Sequence, residues 1–397
     1  MRIPYLLLSI VCVLFLVIDI RLYYLLLKRC ASKVPARIQL GFAILCYAVM
    51  IVALCMPRRD GSDAQLLSVM WMLFALLSVY VSKGVFVIVD GIASLPRLCH
   101  KARWRWLTLT GGILSVLIFL LIWWGALINR FRVDVREVEV EIPDLPAAFD
   151  GYRMVQFSDL HTGTYGTDTT FVSYLVDRIN ALDGDVILFT GDIVNRRTEE
   201  LLPFVDILGR LDAPDGVYSI LGNHDYGDYS DWPSEEAKQQ NLLDLHRLQR
   251  SMGWRLLLNE HEAVYHDGDS IMMVGVENVG DPPFATYGSL ADAYPELSDR
   301  NVKILLSHNP AHWQMDIERS DTSNIALTLA GHTHAMQIEA FGISPAAFRY
   351  RYWGGLYKSA DKRRQLYVNI GAGTVGMPMR LGATPEITVI TLRKAGK

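Results

Sequence analysis

Five short segments bring together side chains that bind metal ions and move protons: Asp159-Leu160-His161, Gly191-Asp192, Gly222-Asn223-His224-Asp225, Ser307-His308 and Gly331-His332-Thr333-His334. The donors are carboxylate oxygens (Asp159, Asp192), an amide oxygen (Asn223) and imidazole nitrogens (His161, His308, His332, His334). A mixed oxygen and nitrogen set without thiolate suits Mn, Fe, Zn or Mg. A Gly-Asp or Ser-His pair alone is an ordinary turn. Gly-Asn-His-Asp and Gly-His-x-His are much rarer by accident, and all five segments in this order point to one site. Half of the ten histidines fall inside them. The others (His100, His246, His261, His266, His312) read as surface or interface residues.

Each segment follows a short β-branched or apolar run, at residues 154–158, 186–190, 217–221, 302–307 and 325–330. Further runs lie at 271–276, 366–370 and 387–392. Between the first two, Phe171, Leu175, Val176 and Ile179 recur at helical spacing. Strands alternating with amphipathic helices predict an α/β domain, and strand ends are where such folds collect their sites. Upstream, residues 131–142 alternate as a half-buried strand should, with Val133, Val135, Val138, Val140 and Ile142 among charges. Pro143 and Pro146 break that strand and Asp150-Gly151 supplies a turn. Residues 131–150 therefore read as a linking strand and turn, and 151–397 as the α/β domain.

The first 130 residues are of another kind. Four apolar stretches, at 3–27, 38–56, 66–89 and 107–128, are long enough to cross a bilayer as helices, which takes roughly 20 residues. No small-residue cleavage site follows the first, and three more apolar stretches do, so a membrane domain is expected rather than a signal peptide. Lys28, Arg29, Lys33 and Arg37 follow the first stretch and Arg97, Lys101, Arg103 and Arg105 the third. Arg2, Arg58, Arg59, Arg130, Arg132 and Arg136 fall on the other side. This excess puts both termini and the second domain outside the cytoplasm. Asp19, Arg21 and Lys83 interrupt the apolar runs, and an Asp19–Lys83 pair that fixes packing, or snorkelling, is the expected reason. All five cysteines (Cys12, Cys30, Cys46, Cys55, Cys99) lie in this half without a CxxC spacing. A cysteine-free second domain suits an oxidising compartment. The net charge of −4 shows no basic stripe, and no nucleic-acid partner is expected.

The order Asp-x-His, Gly-Asp, Gly-Asn-His-Asp, His, Gly-His-x-His resembles the calcineurin-like metallophosphoesterase superfamily, over about residues 151–392. Residues 145–161 (LPAAFDGYRMVQFSDLH) and 369–392, with Pro378-Met379-Arg380 and Pro385-Glu386, resemble its bacterial membrane-associated branch, which also has an animal transmembrane member. The resemblance implies a β-sandwich flanked by helices, four layers α/β/β/α, with a two-metal site at one sandwich edge. It makes Asp159, His161, Asp192 and His334 ligands of one divalent cation, with Asp192 bridging to a second held by Asn223, His308 and His332. Two such cations clamp phosphate oxygens and activate water. His224 then faces the leaving-group oxygen, with Asp225 orienting its ring. Relatives continue Gly-His-x-His with Gly-Gly, where this chain has Ala335-Met336.

The branch implies hydrolysis of a phosphoester or pyrophosphate bond in an amphiphilic or envelope substrate, UDP-2,3-diacylglucosamine in lipid A synthesis being one candidate. Membrane lipids and a phosphate-containing, lipid-like substrate are the expected partners of an integral protein of a bacterial inner or plasma membrane. That nucleotide lipid is made in the cytoplasm, in conflict with the expected orientation. Two stretches are candidates for the substrate pocket. Residues 341–364 mix Phe348, Tyr350, Tyr352, Trp353 and Tyr357 with Arg349, Arg351, Lys358, Lys362, Arg363 and Arg364, and residues 228–254 look like an insertion ending in an amphipathic helix. The alternatives are a non-catalytic metal-binding scaffold and an accessory domain of a membrane sensor or transporter.

Overall fold

The computed structural model describes residues 5–57, 59–320 and 324–396. Arg2, Ile3, Arg58 and Lys397, which the sequence reading uses, lie outside these described residues. The chain divides into two compact units, one formed by Met1–Leu127 with Gly376–Met379 and one formed by Ile128–Val375 with Arg380–Lys397.

The first unit is four helices: α1 (Tyr5–Arg29), α2 (Val34–Cys55), α3 (Asp63–Ser94) and α4 (Arg105–Leu127). All are long and apolar enough to cross a membrane. The third begins at a capping box, in which Ser62 accepts from the Gln65 amide and the Gln65 side chain accepts from the Ser62 amide. Its 32 residues outrun the expected stretch at both ends, and its charges find partners. Lys83 lies 2.8 Å from Asp19, as expected, and Gln39 and the Tyr80 hydroxyl also donate to that carboxylate at 2.8 and 2.7 Å. Arg21 turns instead to Asp90, 3.7 Å away, a residue the sequence reading passed over. Asp90 is fully buried and receives Arg29 at 2.6 and 3.0 Å and Arg103 at 2.8 Å. A carboxylate at such depth is costly unless paired, and here it is paired several times over.

Among the described residues the second unit holds twelve strands in two sheets. In chain order they are β1 (Asp134–Ile142), β2 (Arg153–Phe157), β3 (Val186–Phe189), β4 (Val217–Ser219), β5 (Arg255–Leu256), β6 (Glu260–His266), β7 (Asp269–Gly275), β8 (Lys303–Leu306), β9 (Ile325–Ala330), β10 (Gly355–Lys358), β11 (Gln365–Val368) and β12 (Glu386–Lys394). One sheet runs β1-β12-β2-β3-β4-β5 and the other β10-β11-β9-β8-β7-β6. Strands β2 to β5 are parallel, as are β7, β8, β9 and β11. The inner faces meet through Met154, Leu188, Tyr218, Met273, Ile304, Leu327 and Ile390. On the first sheet's outer face Val155, Phe157, Ile187 and Phe189 pack under α5 (Thr170–Asn180) and Leu245 of a helix at Glu235–Ser251. On the second, Val274, Leu305 and Val368 pack under Trp313 and Ile317. Burial on both faces is why these strands read as unbroken apolar runs. The strand expected within residues 131–142 forms as β1, Asp134–Ile142. It pairs in parallel with β12 from Asp134↔Glu386 to Ile142↔Lys394, as an edge strand of the first sheet.

Candidate metal centre

The parallel strands of both sheets aim their carboxyl ends at one place. Asp159 and His161 follow β2, Asp192 follows β3, residues 222–225 follow β4, His308 follows β8, and His332 and His334 follow β9. Immediately after these strands the backbone turns sharply. Asp159, His161, Asp192, His332 and His334 all take positive φ, between 49° and 73°, which bends each side chain back across the strand ends. The flanking glycines are required by space. A Cβ on Gly331 would lie 2.0 Å from Ser158 Oγ and 2.3 Å from Asp159 Oδ2, and one on Gly222 would lie 2.2 Å from Asp192 Oδ1.

Two donor clusters result, Asp159/His161/His334 and Asp192/His308/His332, all buried. In the first, His161 Nε2 and His334 Nε2 are 3.0 Å apart and His334 Nε2 is 3.2 Å from Asp159 Oδ1. In the second, His308 Nε2 lies 3.2 Å from Asp192 Oδ2 and 3.3 Å from His332 Nδ1. Asp192 Oδ2 also stands 3.6 Å from His161 Nε2, so this carboxylate joins the clusters. Asn223 spends its NH2 on the Tyr229 hydroxyl at 2.9 Å, and its Oδ1 is buried without a hydrogen-bond donor.

The protonation states fit cation binding. Burial, then the neighbouring His224, drives His161 well below the usual imidazole range; burial, then His308, takes His332 down to about 3. Burial opposes ionisation of Asp159 and Asp192, but His334 and His308 respectively hold both below the ordinary carboxylate range. Burial would also discharge His308, yet Asp192 lifts it to about 9, a proton occupying ground that a cation would take. Carboxylates, neutral imidazoles and an unspent amide oxygen are the forms that ligate divalent ions.

A second layer fixes the donors. His308 Nδ1 lies 2.8 Å from the Thr190 carbonyl, which leaves Nε2 to face Asp192. Arg380 is fully buried and donates to the carbonyls of Ile370, Gly373 and Ala383 at 2.6–3.0 Å, with Nη2 3.1 Å from His334 Nδ1. Burial lowers its guanidinium to about 10.

His224 and Asp225 depart from expectation. The His224 ring is oriented by the Asn195 carbonyl, 2.6 Å from Nδ1, and by stacking on Tyr229 at 4.1 Å. Asp225 does not orient that ring. Its carboxylate accepts the backbone N–H groups of Gly222, Asp192, Ile193 and Val194 at 2.8–3.3 Å, tying the loop after β3 to the loop after β4. Burial and the charge of Asp192 push Asp225 up to about 7, against the opposing pull of the Gly222 and Val194 N–H groups. Asn195 escaped the sequence reading because it acts through a backbone carbonyl, which every residue has.

Of residues 341–364, Tyr350 alone reaches the donors, its hydroxyl 3.3 Å from His332 Nε2. Tyr352 packs edge-on against Trp313 and donates to Glu318 at 2.8 Å, and Arg349 pairs with Asp281 at 2.6 Å. Phe341 and Phe348 are fully exposed. In residues 228–254, Tyr229 touches His224 and Asn223 and the helix forms as expected. Ala335 and Met336 hold φ of 50° and 45°, so this chain keeps a left-handed turn without glycine.

This fold and donor set define a metallophosphoesterase. Residues 152–336 match the calcineurin-like phosphoesterases, and residues 1–130 match the domain described as probable calcineurin-like phosphoesterase, transmembrane domain. The chain belongs to the calcineurin-like metallophosphoesterases; it is a membrane protein and a metal-dependent phosphohydrolase. It is 28% identical to the transmembrane protein with metallophosphoesterase domain of Danio rerio over 385 residues, 92% of this chain and 83% of that one. It is 30% identical to an uncharacterized metallophosphoesterase of Bacillus subtilis, covering 66% of this chain and 86% of the relative. The Bos taurus transmembrane protein with metallophosphoesterase domain is 31% identical over 66% of this chain and 57% of its own length.

Proposed function

We propose that Asp159, His161, Asp192 and His334 hold one divalent cation, that Asp192, Asn223, His308 and His332 hold a second, and that the site hydrolyses a phosphoester or pyrophosphate bond of an amphiphilic substrate. The observation that carries this reading is the position of Asp192, within 3.2 Å of His308 and 3.6 Å of His161. Cations bound there would neutralise phosphoryl oxygens and acidify water near neutral pH. The chain's own residues do the rest. The Asn195 carbonyl holds Nδ1–H of His224, so its Nε2 is the proton-handling atom. Burial keeps this ring neutral at rest, and an arriving phosphate raises its proton affinity. A proton held at Nε2 then passes to the departing oxygen. Tyr350, beside His332, lines the approach.

An amphiphilic substrate is supported by the helical unit and by the exposed Phe341 and Phe348 beside Arg349 and Arg351. The basic-residue excess supports a site on the outer side of a bacterial membrane, which favours envelope phospholipids, polyprenyl phosphates or wall polymers. A UDP-2,3-diacylglucosamine-type lipid belongs to the opposite orientation. A scaffold role accords poorly with a donor set in which no member is lost. A transporter role accords poorly with four helices in which, among the described residues, proline lies only at the start of α2.

The test is hydrolysis of p-nitrophenyl phosphate and bis-p-nitrophenyl phosphate by the purified full chain. Turnover should vanish on chelation and return with Mn²⁺. Equal turnover after exhaustive chelation would overturn the proposal.

A further inference from the structure

The helical unit carries a second concentration of charge, unrelated to the metal centre. A cavity of about 470 Å³ is lined by Lys28 and Arg29 at the end of α1, by Arg97, Arg103 and Arg105 between α3 and α4, and by Thr108. Asp90 organises it from beneath, receiving Arg29, Arg103 and the Thr108 hydroxyl, the last at 3.1 Å. One buried carboxylate cannot balance this group, and Lys28, Arg97 and Arg105 meet no carboxylate among the described residues. Like charges gathered around one cavity repel unless an anion enters.

Three observations give the anion its character. Trp104 and Trp106 flank Arg105 and are 47% and 65% exposed, as aromatic residues are at headgroup level. An apolar groove of about 550 Å³ runs along α3 and α4 between Phe86, Leu109, Gly112, Ile113, Val116 and Leu117. Thr108 lines both the cavity and the groove, so charged and apolar parts adjoin. The groove is open at Gly112, where a Cβ would come no nearer than 4.0 Å to Phe86, so only a larger side chain would fill it.

We propose that this face of the helical unit binds one anionic phospholipid, its phosphate among Lys28, Arg97 and Arg105 and an acyl chain in the groove at Gly112. Arg29 and Arg103, clamped by Asp90, form the rigid floor. The assignment does not rest on the phosphoesterase reading.

Native mass spectrometry of the delipidated full chain tests it, with dioleoylphosphatidylglycerol, dioleoylphosphatidylcholine and inorganic phosphate as probes. Wild type should retain a single phosphatidylglycerol, with a preference over phosphatidylcholine on the order of tenfold or more. Lys28→Gln/Arg97→Gln/Arg105→Gln should abolish that preference, and Arg97→Lys/Arg105→Lys should keep it, which separates loss of charge from misfolding. Gly112→Leu should weaken phosphatidylglycerol binding without affecting p-nitrophenyl phosphate hydrolysis. An unchanged preference in the triple variant would overturn the site. Efficient competition by inorganic phosphate together with a harmless Gly112→Leu would leave a free-anion site and overturn the lipid assignment.

Discussion

Asp225→Asn separates a residue that builds the site from one that tunes its acid–base group. The carboxylate accepts Asp192 N–H and Gly222 N–H through Oδ2 at 2.9 and 2.8 Å, and Ile193 N–H and Val194 N–H through Oδ1 at 3.0 and 3.3 Å. Whichever way an asparagine amide turns, its NH2 confronts two donors. Hydrogen bonds to a charged acceptor are worth roughly 1.5–3 kcal/mol each, so above pH 7, where Asp225 is ionised, two of them amount to roughly 3–6 kcal/mol. Removing the charge relieves repulsion from Asp192, which brings the expected loss to about 3 kcal/mol. For a unit of this size that lowers Tm by roughly 6–12 °C. Thermal unfolding by near-UV circular dichroism with Mn²⁺ present measures it, alongside the pH dependence of kcat. Turnover should fall without displacement of the pH profile. An unchanged Tm with a displaced profile would refute the reasoning and return Asp225 to the His224 ring.

Three other perturbations probe neighbouring links. His224→Ala should leave both metal positions filled while slowing turnover by roughly 10²–10⁴-fold; metal analysis showing an emptied position would make His224 a ligand. Met336→Gly releases about 1 kcal/mol of left-handed strain and gives most of it back in unfolded-chain entropy, so Tm should hold or rise slightly. Met336→Val should lower it by several degrees, and the opposite order would mean the turn is unstrained. For orientation, an export-dependent reporter enzyme fused after Lys397 should be active, and a fluorescent protein at the same point dark; the reverse pattern would put the site in the cytoplasm.

What the sequence disclosed follows from how each feature is encoded. The donors were legible because each side chain that could ligate sits just past an apolar run, and β8 or β9 needs only local pattern to be recognised. The strand at Glu260–His266 was missed because it is exposed along much of its length and its sequence, EHEAVYH, shows no apolar stripe. The strand at Gly355–Lys358 lay hidden in the aromatic and basic stretch that reads as a candidate substrate pocket. Asp90 was missed for a different reason. Its meaning depends on Arg29 and Arg103, 61 and 13 residues away, which only helix packing brings to it. The grip of Arg380 behind His334 is equally non-local, spanning 46 residues.

The backbone of the metal centre leads to a final expectation. Five ligand candidates take positive φ. Asp and His tolerate that region better than most residues, yet about 1 kcal/mol each is a fair cost, so roughly 5 kcal/mol of strain sits in the site. That is comparable to the net stability of a whole domain, roughly 5–15 kcal/mol. Gly222, Gly331, Asp225 and Arg380 hold the strained turns in place, but they cannot remove the repulsion between the buried Asp159 and Asp192 carboxylates. A cation that binds the folded site and not the unfolded chain adds about 4 kcal/mol when present at 1,000 times its Kd. Chelation should therefore lower the Tm of the phosphoesterase unit by about 10 °C, with recovery on adding Mn²⁺. Asp192→Asn should show a smaller chelation shift than wild type, because the joining carboxylate is gone. Melts identical with and without chelator, in protein that turns over only with metal, would mean that the framework alone bears the strain and that the ions add chemistry without adding stability.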